Sequence, residues 1–307
     1  MSQNKDKHIL VLKGGWSAER KVSLDSGESC ATALREIGYR VTEVDIKRDM
    51  VQLLDALDPK PDVVFNALHG RYGEDGSIPA ILNILKIPYT HSGLLPSALA
   101  MDKFQAKTLL LSAGIPFPRG TVADRKALAY RLPIDPPIVV KPINEGSSVG
   151  VQIIRQNASF VDFEQWQEGQ KLLVEEFIPG RELTVAVMGD KALGVTELQP
   201  KSDFYDFDAK YTYGKTIHKC PAPIDANVSA EAMKYAELAH KVLGCRGISR
   251  SDFRYNDTAG EPGKLFMLEV NTQPGMTSLS LVPEQAAMAG ISFAGLVDWM
   301  VKQARFD

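Results

Sequence analysis

Two stretches near the end of the chain carry the residue types that divalent-cation and phosphoryl chemistry require, Ile248-Ser-Arg-Ser-Asp-Phe253 and Phe266-Met-Leu-Glu-Val-Asn271. Strand residues alternate faces. Arg250 and Asp252 therefore share one side, and Glu269 and Asn271 share one side with Phe266, Leu268 and Val270 on the other. If the two strands pair, two carboxylates and an amide carbonyl converge as a hard, all-oxygen set that suits magnesium. The same residues fit equally well a polar strand face on which Arg250 salt-bridges its neighbour. Directly afterwards comes Pro274-Gly-Met-Thr-Ser-Leu-Ser280, whose backbone N–H and hydroxyl donors suit an oxyanion or a carboxylate, or simply close a strand.

Earlier, Glu145-Gly-Ser-Ser-Val-Gly150 follows an apolar strand ending at Lys141. Free backbone N–H groups in such a loop can fold over phosphate oxygens, with Lys141 adding positive charge, although Gly/Ser loops between strands are usually hairpins. It is no Walker A loop: Gly214-Lys-Thr216 would need glycine at 209, where the chain has Ala209. Gly14-Gly-Trp-Ser17 does not complete GxGxxG either. Glu19 follows the first predicted strand and His69 the third, which puts both at the carboxyl edge of a parallel sheet, where such sheets bind ligands. The Asp206 to Tyr211 segment reads as an exposed turn or a mobile lid.

The elements that must position these residues follow from periodicity. Strands are expected at His8 to Leu12, Val41 to Ile46, Val63 to Ala67 and Ile87 to Thr90, alternating with a helix capped by Ser23 and with helical runs at Met50 to Leu57 and Ile78 to Leu85. That pattern is a small doubly wound domain of residues 1–100. A helix over Met101 to Ala113 opens a middle, α+β section, 101–184, with strands at Ile138 to Lys141, Val151 to Ile154 and Leu172 to Phe177 and one helical run at Phe160 to Gln167. A last section, 185–307, holds strands near Leu183 to Met188, Ala192 to Glu197, Ile248 to Arg254 and Leu265 to Val270. It also holds a helix from Ala230 to Leu243 opened by Ser229, and two closing helices.

Composition bounds the function. Apolar residues make up 44% and charged residues 24% of 307, an ordinary globular mixture, and a net charge of −3 carries no nucleic-acid footprint. No stretch reaches membrane-spanning length, and the start lacks the features of a secretory signal. Three scattered cysteines, Cys30, Cys220 and Cys245, argue for a reducing compartment.

Taken together, Gly14-Gly-Trp-Ser-Ala-Glu-Arg20, Leu68-His-Gly-Arg-Tyr-Gly-Glu-Asp-Gly76, Met101-Asp-Lys103, Lys141-Pro142 with the Glu145 to Gly150 loop, Phe204 to Tyr211, Ser249 to Asp252 and Leu268 to Ser278 resemble the D-alanine–D-alanine ligases of the ATP-grasp superfamily. The blocks occur in the family's order and span nearly the whole chain. The resemblance implies an ATP-grasp fold, α/β and α+β, behind an N-terminal doubly wound parallel-sheet domain. It implies ATP and two magnesium ions, for which manganese can substitute, two D-alanine substrates, a homodimer and a cytoplasmic setting.

By the same resemblance Lys103, Lys141 and Lys210 would reach ATP phosphates under the Gly146, Ser147, Ser148 and Val149 loop. Glu175, Glu176, Phe177 and Ile178 would line the adenine pocket and Glu182 would bind ribose. Asp252, Glu269 and Asn271 would hold the metal. Arg250 and the Gly275 N–H would stabilise the tetrahedral intermediate. Glu19 and His69 would hold the first D-alanine, and Ser280 with Leu281 the carboxylate of the second. Glu19, Ser147 and Tyr211 would form a hydrogen-bonded trio, the tyrosine resembling ligases that select D-alanine over D-lactate. Ser249 and Ser251 depart from the glycine and aliphatic residue that often flank this arginine, with little consequence expected.

Overall fold

The computed structural model describes residues 6–156, 162–201, 207–258 and 260–307. The first sheet is parallel, in the order β2 (Arg40–Ile46), β1 (His8–Gly14), β3 (Val63–Asn66). One face packs on α1 (Arg20–Glu36) and the other on α2 (Met50–Ala56) and α3 (Ser77–Ile84). The expected fourth strand at Ile87 to Thr90 is only a bridge at Tyr89, shared with Val64 and Arg305. Pro88 has no N–H to extend the ladder, and Thr90 Oγ1 accepts the Asn66 N–H at 3.1 Å.

Ser23 does not cap α1, which starts three residues earlier. Its hydroxyl lies in the sheet–helix seam, donating to the Ala67 carbonyl at 2.7 Å and accepting from the Gly14 N–H at 2.8 Å. This fastens the loop after β1 to the loop after β3.

Two helices occupy the predicted Met101 to Ala113 region and its approach, α4 (Leu94–Met101) and α5 (Lys103–Ser112). Asp102 separates them because its extended backbone lets Oδ1 accept from the N–H groups of Phe104 and Gln105. Lys103 is thereby fixed at the first helical position.

The second sheet is antiparallel, ordered β4 (Gly120–Asp124), β7 (Lys171–Glu176), β5 (Ile138–Pro142), β6 (Gln152–Ile154). Its core includes Leu128 from α6 (Arg125–Tyr130), a helix the pattern did not reveal. The predicted helix at Phe160 to Gln167 lies partly outside the described residues, and 162–167 are turns and irregular backbone. There Trp166 is buried and donates Nε1–H to the Gly150 carbonyl at 2.7 Å, anchoring the end of the Gly/Ser loop.

The third sheet is a five-stranded antiparallel one: β10 (Thr216–Lys219), β9 (Lys191–Pro200), β8 (Arg181–Met188), β11 (Ile248–Asn256), β12 (Lys264–Asn271). A short helix, α7 (Phe207–Tyr211), precedes β10 where a loop was expected. The helix predicted from Ala230 is α8 (Ala226–Val242), capped by Asp225 rather than Ser229. Helix α8 covers one face of the sheet. The closing helices α9 (Leu281–Met288) and α10 (Phe293–Gln303) bury Val282, Ala286, Leu296, Val297 and Met300 in the same core as Ile9, Val11 and Phe65 of the first sheet. The ends of the chain therefore share one apolar cluster, and the loop from β12 to α9 is carried beside the carboxyl edge of the parallel sheet. Among the described residues no helix is long and apolar enough to cross a membrane, and the three cysteines are unbridged.

Candidate active site

Strands β11 and β12 pair with Arg250 opposite Asn271 and Asp252 opposite Glu269. The pairing then slips, so that Phe253 meets Met267 and Leu268 is the extra residue of a bulge. This corrects the expected faces. Leu268 joins Glu269 in lining the cleft and Phe266 lies opposite Arg254, while Val270 stays in the core as expected.

The salt-bridge alternative is observed, and it leaves the acid–amide set on one face. Arg250 donates from Nε and Nη2 to the two oxygens of Asp252 at 2.9 and 2.8 Å, and the acid–amide set still shares the cleft face. Thr184 Oγ1 also donates to Asp252, at 2.7 Å. Asn271 Oδ1 accepts from the Gln273 N–H at 2.8 Å. No cluster of three His, Cys, Asp or Glu suited to a metal occurs among the described residues. Two carboxylates and an amide oxygen are nonetheless a donor set that fits a hard cation.

Positive charge crowds the same face. Lys103 Nζ lies 3.1 Å from Glu269 Oε2 and donates to the Glu145 carbonyl at 2.6 Å. Burial pushes the Glu269 carboxyl up, but Lys103, Lys210, Lys141 and Arg250 outweigh it and bring it down to about 2. Lys141 is buried and ion-paired to Glu175 at 2.8 Å, and Lys107 takes the other oxygen of Glu175 at 2.6 Å. Removing one partner from such a buried pair costs about 3–5 kcal/mol. Glu175 is therefore a fixed anchor for Lys141 as well as part of the cleft wall.

The Glu145 to Gly150 loop is held by local geometry. Ser147 and Ser148 both have left-handed backbones, φ 49° and 60°, a conformation costing about 1–2 kcal/mol for a residue with a side chain. What offsets that cost is a chain of side-chain contacts: Ser147 Oγ donates to Glu19 Oε1 and lies 2.8 Å from the Tyr211 hydroxyl. A Cβ on Gly146 would stand 2.7 Å from Glu19 Oε2, so any larger residue would force the Glu19 carboxylate or the loop to shift. Burial, reinforced by Glu74, raises the Glu19 pKa against the opposing pull of His69, Ser147 and Lys210.

On the other side, His69 is buried with Nδ1 2.9 Å from Glu74 and Nε2 3.3 Å from Ser26 Oγ. Burial pulls the His69 pKa down, but the hydrogen bond and charge of Glu74, with Glu19, raise it overall. Ser26 also accepts the Met276 N–H at 3.1 Å, which ties α1 to the loop after β12. Gly275 comes so close to Ser280 that a Cβ would sit 2.9 Å from its hydroxyl. Ser280 is the N-cap position of α9, its Oγ accepting from the Thr277 N–H at 2.9 Å.

Two cavities result. A polar one is lined by Glu19, His69, Ser147, Tyr211, Arg250, Asn271, Gly275, Ser280 and Leu281. A more apolar one, between the two antiparallel sheets, is lined by Lys141, Ser148, Val149, Glu175, Glu176, Phe177, Ile178, Glu182 and Asp252. They meet at Lys103, Glu145, Gly146, Lys210 and Glu269, which line both. Every site residue expected from sequence thus borders one cavity or both.

Four neighbours escaped the sequence reading. Glu74 lay in the same glycine-rich block as His69, and Lys107 lies one helical turn beyond Lys103, so both were within reach of spacing. Thr184 and Arg254 needed strand register. Arg254 lines the apolar cavity and donates to the carbonyls of Ile178 and Gly180 at 3.1 and 2.7 Å.

Two antiparallel sheets closing on a lysine-walled cleft, beside a parallel sheet that contributes a second polar cavity, define an ATP-grasp enzyme. The family model for the D-ala D-ala ligase C-terminus matches residues 124–302. A D-alanine–D-alanine ligase of Methylorubrum populi is 55% identical, with 98% of this chain and 99% of that one covered. One from Parvibaculum lavamentivorans is 53% identical, covering 98% of each. The crystal structure of the Bacillus anthracis D-alanine–D-alanine ligase complexed with ATP superposes with a TM-score of 0.78 at 29% identity, covering 97% of this chain and 96% of that one. The chain belongs to the D-alanine–D-alanine ligase family.

Proposed function

We propose that this enzyme joins two D-alanine molecules into D-alanyl-D-alanine for peptidoglycan precursor synthesis, releasing ADP and phosphate through an acyl-phosphate intermediate. The observation that carries this reading is the junction of the two cavities. A nucleotide in the apolar cavity would present its phosphates at Lys103, Lys141 and Lys210, where the amino-acid cavity begins. The adenine would lie along Glu175 to Ile178, with ribose at Glu182.

Glu19 and His69 orient the first D-alanine so that a carboxylate oxygen attacks the γ-phosphorus and ADP departs. The lysines offset the charge spreading over the phosphoryl oxygens. Asp252, Glu269 and Asn271 would hold two magnesium ions, or manganese, which when bound supply further charge neutralisation to the phosphates. The second D-alanine, its carboxylate at Ser280 and Leu281, enters as a free amine and attacks the acyl carbonyl. Arg250 and the Gly275 N–H hold the oxyanion until phosphate leaves. The contact of Tyr211 with Ser147, which in turn bonds Glu19, would hold α7 over the site and keep water from the acyl phosphate.

We further propose three functional units, 1–100, 101–184 and 185–307, a cytoplasmic homodimer, and no nucleic-acid or membrane partner. The deciding experiment is phosphate release with ATP and magnesium on D-alanine, L-alanine and D-lactate side by side, with dipeptide measured in parallel. Full turnover on D-alanine alone supports the reading, and equal turnover with D-lactate as acceptor overturns the acceptor assignment. Equilibrium sedimentation tests the homodimer.

A further inference from the structure

His218 and Glu284 lie outside the machinery described above, yet they join the two segments that flank the second amino acid. His218 is on β10, the strand immediately after α7, and its Nδ1 lies 2.7 Å from Glu284 Oε2. Glu284 is in the first turn of α9, the helix that Ser280 opens. Its backbone N–H bonds to the Ser280 carbonyl at 3.4 Å, and its second carboxylate oxygen accepts from Thr196 Oγ1, also at 3.4 Å.

The α7 side is equally tied. Thr216 Oγ1, two residues before His218, donates to the Ala209 carbonyl at 2.7 Å. Ala209 in α7, Leu281 in α9 and Leu198, the cross-strand partner of His218 on β9, form a separate buried apolar cluster. His218 and Leu279 also line one small cavity with Lys210. The closing helix and the start of α9 are therefore joined by an apolar contact and a polar one through the same strand. Displacing either segment would displace Tyr211 and Ser280 relative to each other.

We propose that His218 and Glu284 are a positioning pair that holds the α9 N-terminus in register with α7 and so sets the affinity for the second amino acid. The inference rests on the assignment of Ser280 and Leu281 to that substrate. Neither residue lines either of the two cavities of the site, and the pair is half-buried, so the effect should fall on one binding step rather than on folding.

The test is steady-state kinetics of wild type, His218→Ala, Glu284→Ala, Glu284→Gln and the double alanine variant, with the KM of each D-alanine and of ATP separated. Phosphate released per dipeptide formed and the melting temperature are measured alongside. The second D-alanine KM should rise on the order of 10-fold, as expected for a small misplacement of a binding group. Phosphate should exceed dipeptide, the ATP and first D-alanine KM values should stay within about 2-fold, and the double variant should be no worse than either single one. Additive losses, or a fall in kcat with every KM unchanged, would overturn the proposal. If Glu284→Ala does not fold, Glu284→Gln, which keeps an acceptor for Thr196, carries the same comparison. Absence of dipeptide from wild type would defeat the ligase reading instead, whereas an active wild type with indistinguishable variants defeats the pair alone.

Discussion

Arg250 holds Asp252 by both carboxylate oxygens while standing opposite Asn271, so in the proposed mechanism one guanidinium both orients a proposed metal ligand and holds the oxyanion. Arg250→Ala should lower kcat on the order of 10²–10³, and single-turnover dipeptide formation measures this directly; unchanged turnover would remove Arg250 from the mechanism. Asp252→Ala should instead raise the magnesium concentration needed for half-maximal rate, so a metal titration that superposes on wild type would count against its assignment. His69 gives a pH signature. Its folded pKa is raised above 6.5 by Glu74, so the pair's contribution to stability is fully present below the unfolded value and is lost as pH rises through the folded one. The melting-temperature deficit of Glu74→Gln should accordingly be largest below pH 6.5 and shrink above it; a deficit independent of pH would contradict this.

At the scale of elements, the Gly/Ser loop is the part under strain. Its left-handed serines are held by Glu19, Tyr211 and the Trp166 anchor at Gly150. In Gly146→Ala the added methyl group meets the Glu19 carboxylate and displaces it or the loop, breaking the Glu19–Ser147 contact. Catalytic efficiency for ATP should fall on the order of 10-fold, and more phosphate than dipeptide should appear as water reaches the acyl phosphate. A variant with wild-type stoichiometry would show that the loop does not seal the site. Strands β11 and β12 make the complementary point, since a single bulge turns Leu268 toward the apolar cavity and alters the parity on which face assignments depend.

For the whole molecule, the decisive feature is that the two cavities are walled by strands of the two antiparallel sheets, by the loops that follow β1 and β3, and by the loop from β12 into α9. A ligand spanning them stabilises the folded state by mass action, so a non-hydrolysable ATP analogue at 100 times its Kd should add about 2.7 kcal/mol. The upward shift in melting temperature should be lost in Lys141→Met, whose own stability must be measured first because Glu175 is left with one partner fewer. A shift retained in full would place the phosphates elsewhere.

The order of elements and the chemistry of the site were legible in the chain because both are local. Periodicity marked β1, β2, β3, β11 and β12, residue types marked the acid–amide set, Lys141 and the glycine-rich loops, and the family resemblance supplied Lys103 and Lys210. Element ends were less legible: Ser23 gave up capping for contacts with Gly14 and Ala67, and Asp102 capped α5 two residues inside the expected helix and ended α4, which the pattern had not marked. Ile87 to Thr90 read as a strand by composition, but Pro88 and the Thr90 hydroxyl limited it to a bridge. Register, the Leu268 bulge, the sharing of Glu175 by two lysines and the joining of α9 and α10 to the first sheet were decided only in three dimensions. Each depends on which groups become neighbours after chain segments as much as 259 residues apart meet, as Tyr39 and Asp298 do, and no local pattern of residues encodes that distance.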